Sequence, residues 1–292
     1  MPSLRTIRNK IKTIKSTQQI TRAMKMVATA RLTRAQGRII DARPFATRLE
    51  GLITEFSTEL AHTDAEYDLH PLQVNHVSDN HGIVLLTSDK GLCGAFNTNI
   101  LRYTLEFIKT HPNTTMFVAG KKGRDFCKRY EIKISKEYTS LFNNISYVHA
   151  ESIGTDVIDF YNNTKPKSVL VIHQRFKSIL QQELKSLQLL PLQNFLVDQN
   201  TKKPEYQSNY IFEPGKRELL NSLFPRYIKA QIYRALLESF AAEQAARMTA
   251  MDNATNNAED LIDQMTLEVN KLRQASITRE LADIVGTADA IR

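Results

Sequence analysis

The 292-residue chain has no tryptophan, two cysteines, ten glycines and nine prolines, and no acidic residue precedes Asp41. Each shortage excludes something. So little glycine and proline argues against a loop-rich all-β fold and permits long uninterrupted helices. Cys93 and Cys127 stand too far apart for a CxxC metal or redox site, so a reducing interior compartment is the default expectation. No apolar run approaches the roughly 18 residues of a membrane span, and the chain is expected not to be integral to a membrane. No signal sequence is evident at Met1-Pro2, and although the Arg-rich, acid-poor start has a transit peptide's composition, its sustained helical pattern reads as structure. With 42% hydrophobic and 24% charged residues, one or two globular domains are expected.

What is present is charge concentrated at one end. Residues 1 to 40 hold ten cations, namely Arg5, Arg8, Lys10, Lys12, Lys15, Arg22, Lys25, Arg31, Arg34 and Arg38. Beneath that charge runs a helical pattern. Leu4, Ile7, Ile11 and Ile14 alternate three and four apart, as a heptad seam does, and Gln18, Thr21, Lys25, Ala28 and Leu32 continue the spacing. The seam therefore turns small and polar in its middle, with Met24 and Val27 just off register. Pro44 punctuates the pattern, yet apolar residues carry it on to position 56. Residues 4 to 57, if helical throughout, would span about 80 Å.

The other end behaves alike. Ala230, Tyr233, Leu237 and Phe240, then Met251, Ala254, Ala258, Leu261, Met265, Leu272 and Ala275, form a seam in which Gln244 and Arg247 are polar positions and Glu268 an interruption. No proline follows position 225 and no glycine occurs from 216 to 285, so a helix of some 70 residues is permitted. Neither stripe can be buried alone. Pairing the two ends as an antiparallel coiled coil buries both, and Ala241, Ala242, Ala245, Ala246, Ala250, Ala254 and Ala258 would let the backbones approach closely.

The middle changes period. HGIVLLTSDKGLCGAFN joins a short apolar run to a Gly-containing loop and a helical pattern from Thr98 to Ile108. TTMFVAGKKGRDFCKRY repeats that grammar, with a strand near 115 to 119 and Gly120 and Gly123 at the turn. A helix at 151 to 163 and a third strand at 168 to 176 follow. The expected fold class is α/β: a small Rossmann-like domain with a largely parallel sheet, inserted between the coiled-coil arms. The expected divisions are 1–57, 75–214 and 215–292. Residues 191 to 210 read as an exposed loop, and YIFEP at 210 to 214 as a last strand or foot.

Candidate chemistry is sparse. The loop SDKGLCGAFN could present backbone N–H groups to a phosphate, but its GxxG lacks the P-loop lysine and serine and is not GxGxxG. A tight turn with an interaction surface is the favoured reading, making Asp89, Lys90, Gly91, Cys93 and Gly94 docking or turn residues. Cys93 has no nucleophile signature around it and is read as structural. The seven histidines make no HExxH or His/Cys pairing, so no metal and no cofactor is expected. Glu259, Asp260 and Asp263 read as a solvated helix face. The basic N-terminal helix leaves four readings open: nucleic-acid binding, although no aromatic residue precedes Phe45; membrane-surface binding; a solvated face; or a positive collar for an acidic protein ring.

The segments ITRAMKMVATARL and Arg43-Pro44, TSDKGLCGAFN, ESFAAEQAARMTAM and NKLRQASITRELADIVGTADAI together resemble the gamma subunit of the F-type rotary ATP synthase, bacterial type, over essentially the full chain. Thr287 stands where that family usually has glycine, and the paired-cysteine insertion of the chloroplast type is absent. The resemblance implies a noncatalytic central-stalk rotor, coupling ion flow to ATP synthesis or hydrolysis. It implies alpha and beta subunits in a hexameric ring, an epsilon subunit and a c-subunit ring as partners, no nucleic acid, and indirect membrane association through the c ring at the cytoplasmic face of the bacterial inner membrane. By family position, Met24, Lys25, Arg247, Gln274, Thr278, Glu280 and Asp283 would meet the alpha-beta ring, and Phe212 and Glu213 the c ring and epsilon. Met24, Val27, Ala28 and Leu32 would face the partner helix, and Arg22, Lys25, Arg31 and Arg34 an acidic collar. The reading from charge alone is a basic coiled-coil nucleic-acid-binding or scaffold protein.

Overall fold

The computed structural model describes residues 4–63, 69–195 and 215–290. The chain divides into two compact units, one drawn from Met1–Thr29 and Arg247–Arg292, the other from Ala30–Ala246. Helices α1 (Leu4–Thr63) and α5 (Lys216–Ala290) supply segments to both.

In the first unit the two helices pair antiparallel. Thr21 meets Thr255 and Lys25 meets Asp252, so position rises along one helix as it falls along the other. On α1 the seam lies where the spacing predicts: Ile7, Thr21 and Ala28 are buried, and Leu4, Ile11, Ile14, Gln18 and Lys25 half-buried. On α5 it departs from expectation after Ala258. Ile262, Met265, Val269, Leu272 and Ser276 face inward, while Leu261, Glu268 and Ala275 are exposed. The reason is heptad arithmetic. From Ala258 a four-residue step reaches Ile262 and keeps the three-four alternation through Val269, so Glu268 interrupts nothing.

The second unit is built on a five-stranded sheet of order β3-β2-β1-β4-β5. Its strands are β1 (His81–Leu86), β2 (Thr114–Ala119), β3 (Ile134–Tyr138), β4 (Ser168–Phe176) and β5 (Gln182–Leu190). β1, β2, β3 and β4 run parallel, and β5 pairs antiparallel with β4. Helices α2 (Phe96–Thr110), α3 (Lys121–Arg129) and α4 (Tyr147–Thr164) make the crossovers. β1 is buried along its whole length because both faces of the sheet are covered. Its alternation sends Val84 and Leu86 into one core with α4, the first turns of α5, and Leu49, Ile53 and Phe56 of α1. Ile83 and Leu85 enter the other, with Phe96 and Ile100 of α2 and Cys127 of α3.

α1 runs on through Pro44: proline costs a helix interior about 3 kcal/mol, but Ala42, Ala46 and Leu49 are held by packing on either side. Two local readings are corrected. Gly123 lies inside α3, not at the turn, and a Cβ there would come within 2.8 Å of Thr87 Oγ1. The sequence pattern missed β3 and β5, since ISKEY and QELKSLQLL are edge strands with polar, half-exposed residues.

Between residues 220 and 245, α5 is buried nearly all round, as a helix at the centre of a domain must be. Gly154 of α4 lets the two helices approach, for a Cβ there would lie 2.7 Å from Lys229 Cγ.

Candidate functional site: the strand-to-helix loop and the helix-pair surface

The loop after β1 is assembled by its own polar side chains. Ser88 Oγ donates to the Lys90 carbonyl at 2.6 Å and accepts from Asn97 Nδ2 at 2.7 Å, while Ser88 N donates to Asn97 Oδ1 at 3.1 Å. Asp89 Oδ1 accepts from Lys121 N at 3.1 Å and Ser140 N at 3.3 Å, joining the loop to the starts of α3 and of the segment after β3. Thr87 Oγ1 bonds the Ala119 carbonyl and accepts from Gly123 N at 2.8 Å. Leu92 and Gly94 take left-handed conformations, at φ 62° and 56°. That leaves Leu92 exposed and Cys93 buried.

This construction answers the nucleotide question. In a doubly wound sheet the ligand crevice opens where strand order reverses, here between β1 and β4. Ala242 of α5 shares that core with Cys93, Phe96 and Ile172, and Gln174 Nε2 from β4 donates to the Phe96 carbonyl at 3.1 Å. Protein side chains thus bridge the two sides of that switch point. Cys93 Sγ lies 3.2 Å from Asn97 Nδ2 and 3.9 Å from Ser88 Oγ, neither of them a base that could activate it. Burial pushes the Cys127 thiol up to about 12, which makes it inert. No cluster of three metal-ligating side chains occurs among the described residues, and none of their helices is long and apolar enough to cross a membrane.

The helix pair carries the other sequence candidates. Lys25 Nζ bonds Asp252 Oδ1 at 2.5 Å, with the two side chains 39% and 43% exposed. Thr21 Oγ1 and Thr255 Oγ1 lie 2.8 Å apart one turn further on. Lys25 therefore spends its charge inside the pair, and not wholly outward as its place in a basic run suggests. Met24 is half-buried beside it, but Val27 is 54% exposed, correcting its assignment to the partner-facing side. Arg247 is buried. Gln274, Thr278 and Glu280 are exposed; Thr278 Oγ1 donates to the Gln274 carbonyl, which sets those two residues on one face, and Glu280 accepts from Ser276. The structure thus brings Thr278 to Gln274 and leaves the loop residues 89–94 in the other unit. Phe212 and Glu213 lie outside the described residues, as does the side chain of Asp283.

Two features escaped sequence reasoning. One is the Thr21–Thr255 and Lys25–Asp252 pairing, whose signal was available in the heptad phase. The other is apolar exposure: Ile20 (58%), Met26 (61%) and Val27 are exposed on α1, and Leu267, Ile277, Leu281 and Ile284 on α5. Elsewhere along the same helix as the first group, Arg5, Arg8, Lys10, Lys12, Lys15 and Arg22 are all exposed.

A coiled-coil pair with a basic, partly apolar exterior, carried with an α/β domain on two long shared helices, is the build of a subunit of a larger assembly. The comparisons with known proteins agree. The family model described as ATP synthase matches residues 3–291. The ATP synthase gamma chain of Heliobacterium modesticaldum is 40% identical over 296 residues, covering all of both chains, and that of Chlorobaculum parvum is 40% identical over 304, again covering all of both. The chain belongs to the ATP synthase gamma-chain family. Among solved structures it is similar to a chain of the Tetrahymena thermophila mitochondrial ATP synthase central stalk and c ring, with TM-score 0.62, 25% identity, and 80% and 99% of the two chains covered. A chain of the Euglena gracilis mitochondrial ATP synthase shares the fold at TM-score 0.69 and 22% identity, over 99% and 94% of the two chains.

Proposed function

We propose that the chain is the central-stalk rotor of an ATP synthase, noncatalytic itself, which couples ion flow through the membrane sector to catalysis at a ring of alpha and beta subunits. The carrying observation is the exposed cationic and apolar face of the first unit, set beside a polar seam. A rotor needs such a face. Three equivalent catalytic sites can be driven apart only by a body that contacts each differently, because only differential contact free energy shifts conformational populations. Met24, Lys25, Arg247, Gln274, Thr278, Glu280 and Asp283 are the residues proposed to meet the ring. Charge-assisted hydrogen bonds from such side chains form and break with angle. Phe212 and Glu213 are proposed to rest on the c ring and an epsilon subunit, and the 89–94 loop to dock within the stalk. The chain would then sit at the cytoplasmic face of a bacterial inner membrane, held there through the c ring.

Reconstitution tests this reading. The purified chain mixed with alpha and beta subunits should yield a stable ATPase assembly containing one copy of it. Failure to assemble, alongside a salt-sensitive complex with DNA, would instead support the nucleic-acid-binding alternative, which the family membership does not favour.

A further inference from the structure

The second unit contains an open cleft of about 610 Å³ between α1, the start of α4 and α5. That size falls in the roughly 300–1,000 Å³ range of small-molecule sites. Its apolar wall includes Phe45 and Ala46 of α1, Tyr147 of α4 and Tyr233 of α5. The two tyrosine rings meet edge to face, with centroids 5.7 Å apart, and Phe45 is 58% exposed.

Charge in the cleft is unbalanced. Arg43, Arg226, Lys229 and Arg234 line it against two carboxylates, Glu151 and Glu238. Both carboxylates are engaged: Lys229 Nζ lies 3.2 Å from Glu151 Oε1, and Arg234 Nε donates to Glu238 Oε1 at 3.0 Å. Arg43 and Arg226 are the surplus, both exposed, and neither forms an ion pair with another described residue. Two guanidinium groups beside three aromatic rings make a combination of known preference. The forks bind a carboxylate, sulfonate or phosphate in a plane, and the rings take a flat apolar body edge-on or offset.

We infer that this cleft binds a planar amphipathic organic anion, its ring system against Phe45, Tyr147 and Tyr233 and its acidic group at Arg43 and Arg226. The inference is independent of the coupling role, since it uses only residues of the second unit that the coupling reading leaves unassigned.

The test uses the full-length chain and anilinonaphthalene sulfonate, a fluorescent aromatic anion, with the uncharged phenylnaphthylamine as its counterpart. The sulfonate should bind saturably at one site per chain, and the uncharged compound about tenfold more weakly or worse, the loss expected for one charge-assisted contact. Arg43→Gln with Arg226→Gln should weaken sulfonate binding by at least about tenfold while leaving the thermal melt in place, since both side chains are exposed. Thr47→Trp, which adds bulk at an exposed lining position, should abolish binding. Non-saturable fluorescence, equal binding of the uncharged compound, or an unchanged affinity in the folded double-glutamine variant would each overturn the proposal.

Discussion

Charge reversal at Lys25 separates what this residue does for the helix pair from what it does for coupling. In the wild-type chain its ammonium bonds Asp252 at 2.5 Å with both side chains about 40% exposed, specifically 39% and 43%. Pairs so open to water contribute about 0.2–1 kcal/mol. Lys25→Glu removes that and sets two carboxylates facing each other. At roughly 4 Å their repulsion is about 1 kcal/mol in bulk water and about 4 kcal/mol at the dielectric of a protein surface, and this exposure favours the lower end. The sum is about 1–2 kcal/mol. Against a typical stability of about 5–15 kcal/mol the variant stays folded, with a melting temperature lowered by several degrees.

Coupling should suffer far more if Lys25 also meets the ring. The assay is ion pumping per ATP hydrolysed in reconstituted complexes, set beside the melting temperature of the isolated chain. The decisive construction is the swapped pair, Lys25→Glu with Asp252→Lys. It restores the opposite charges within the coil and so should recover most of the lost stability, as a double-mutant cycle between touching residues does. It leaves the charge pattern presented outward reversed. Recovery of the melt without recovery of coupling places the function of Lys25 at the ring. Recovery of both, or a Lys25→Glu variant that loses stability while pumping normally, refutes the reasoning and makes Lys25 a coil residue alone.

Two further variants probe the second unit. Gly120 has φ +99°, and a Cβ there would lie 2.2 Å from the Thr87 carbonyl oxygen, so Gly120→Ala should cost about 2–4 kcal/mol by chemical denaturation through displacement of the loop after β1; a loss under about 0.5 kcal/mol would contradict it. Burial pushes the Glu238 carboxyl up, but hydrogen bonds from His173 and Arg234 outweigh burial and hold it below its ordinary value. A carboxyl depressed on folding stabilises the chain fully above its unfolded pKa, about 4.3, and that contribution disappears as pH falls through the lower folded value. Glu238→Gln should therefore lower the melting temperature at pH 7 and flatten its dependence below about pH 4.5; an acid limb as steep as the wild type's would show that other carboxylates carry it.

The legible parts of this sequence were those where one force dominated. The seam from Leu4 to Leu32 could be read because an isolated helix pair has only one way to bury a stripe, and β1, β2 and β4 because strands covered on both faces are continuously apolar. β3 and β5 were illegible for the complementary reason: an edge strand is stabilised by its neighbour's backbone, and side chains such as Lys136 or Lys185 carry no trace of that pairing. The phase of α5 past Ala258 failed because Leu261 and Ile262 are adjacent, equally apolar, and only the partner helix chooses between them. For the site, the reading of SDKGLCGAFN as a tight turn follows from what its motif lacks. Its dependence on Ser88, Asn97 and Asp89 was not visible, since those bonds cross from β1 to α2, α3 and the segment after β3.

The polar middle of the helix pair is best understood through what an apolar one would do. Leucine at positions 21, 25, 252 and 255 would bury more surface, each side chain contributing about 1.5–3 kcal/mol, but leucine seams tolerate sliding because one heptad resembles the next. A threonine facing a threonine and a lysine facing an aspartate have one good alignment, and a shift by a turn in either direction breaks both bonds. Within the second unit Leu32 and Ala35 pack with Ala241 and Ala245, where small side chains bring the backbones together and leave little room for adjustment. Stability is thus surrendered where register is gained. For a body proposed to transmit torque this is the useful exchange, because a helix pair that slipped along its axis would dissipate rotation that a locked pair passes on.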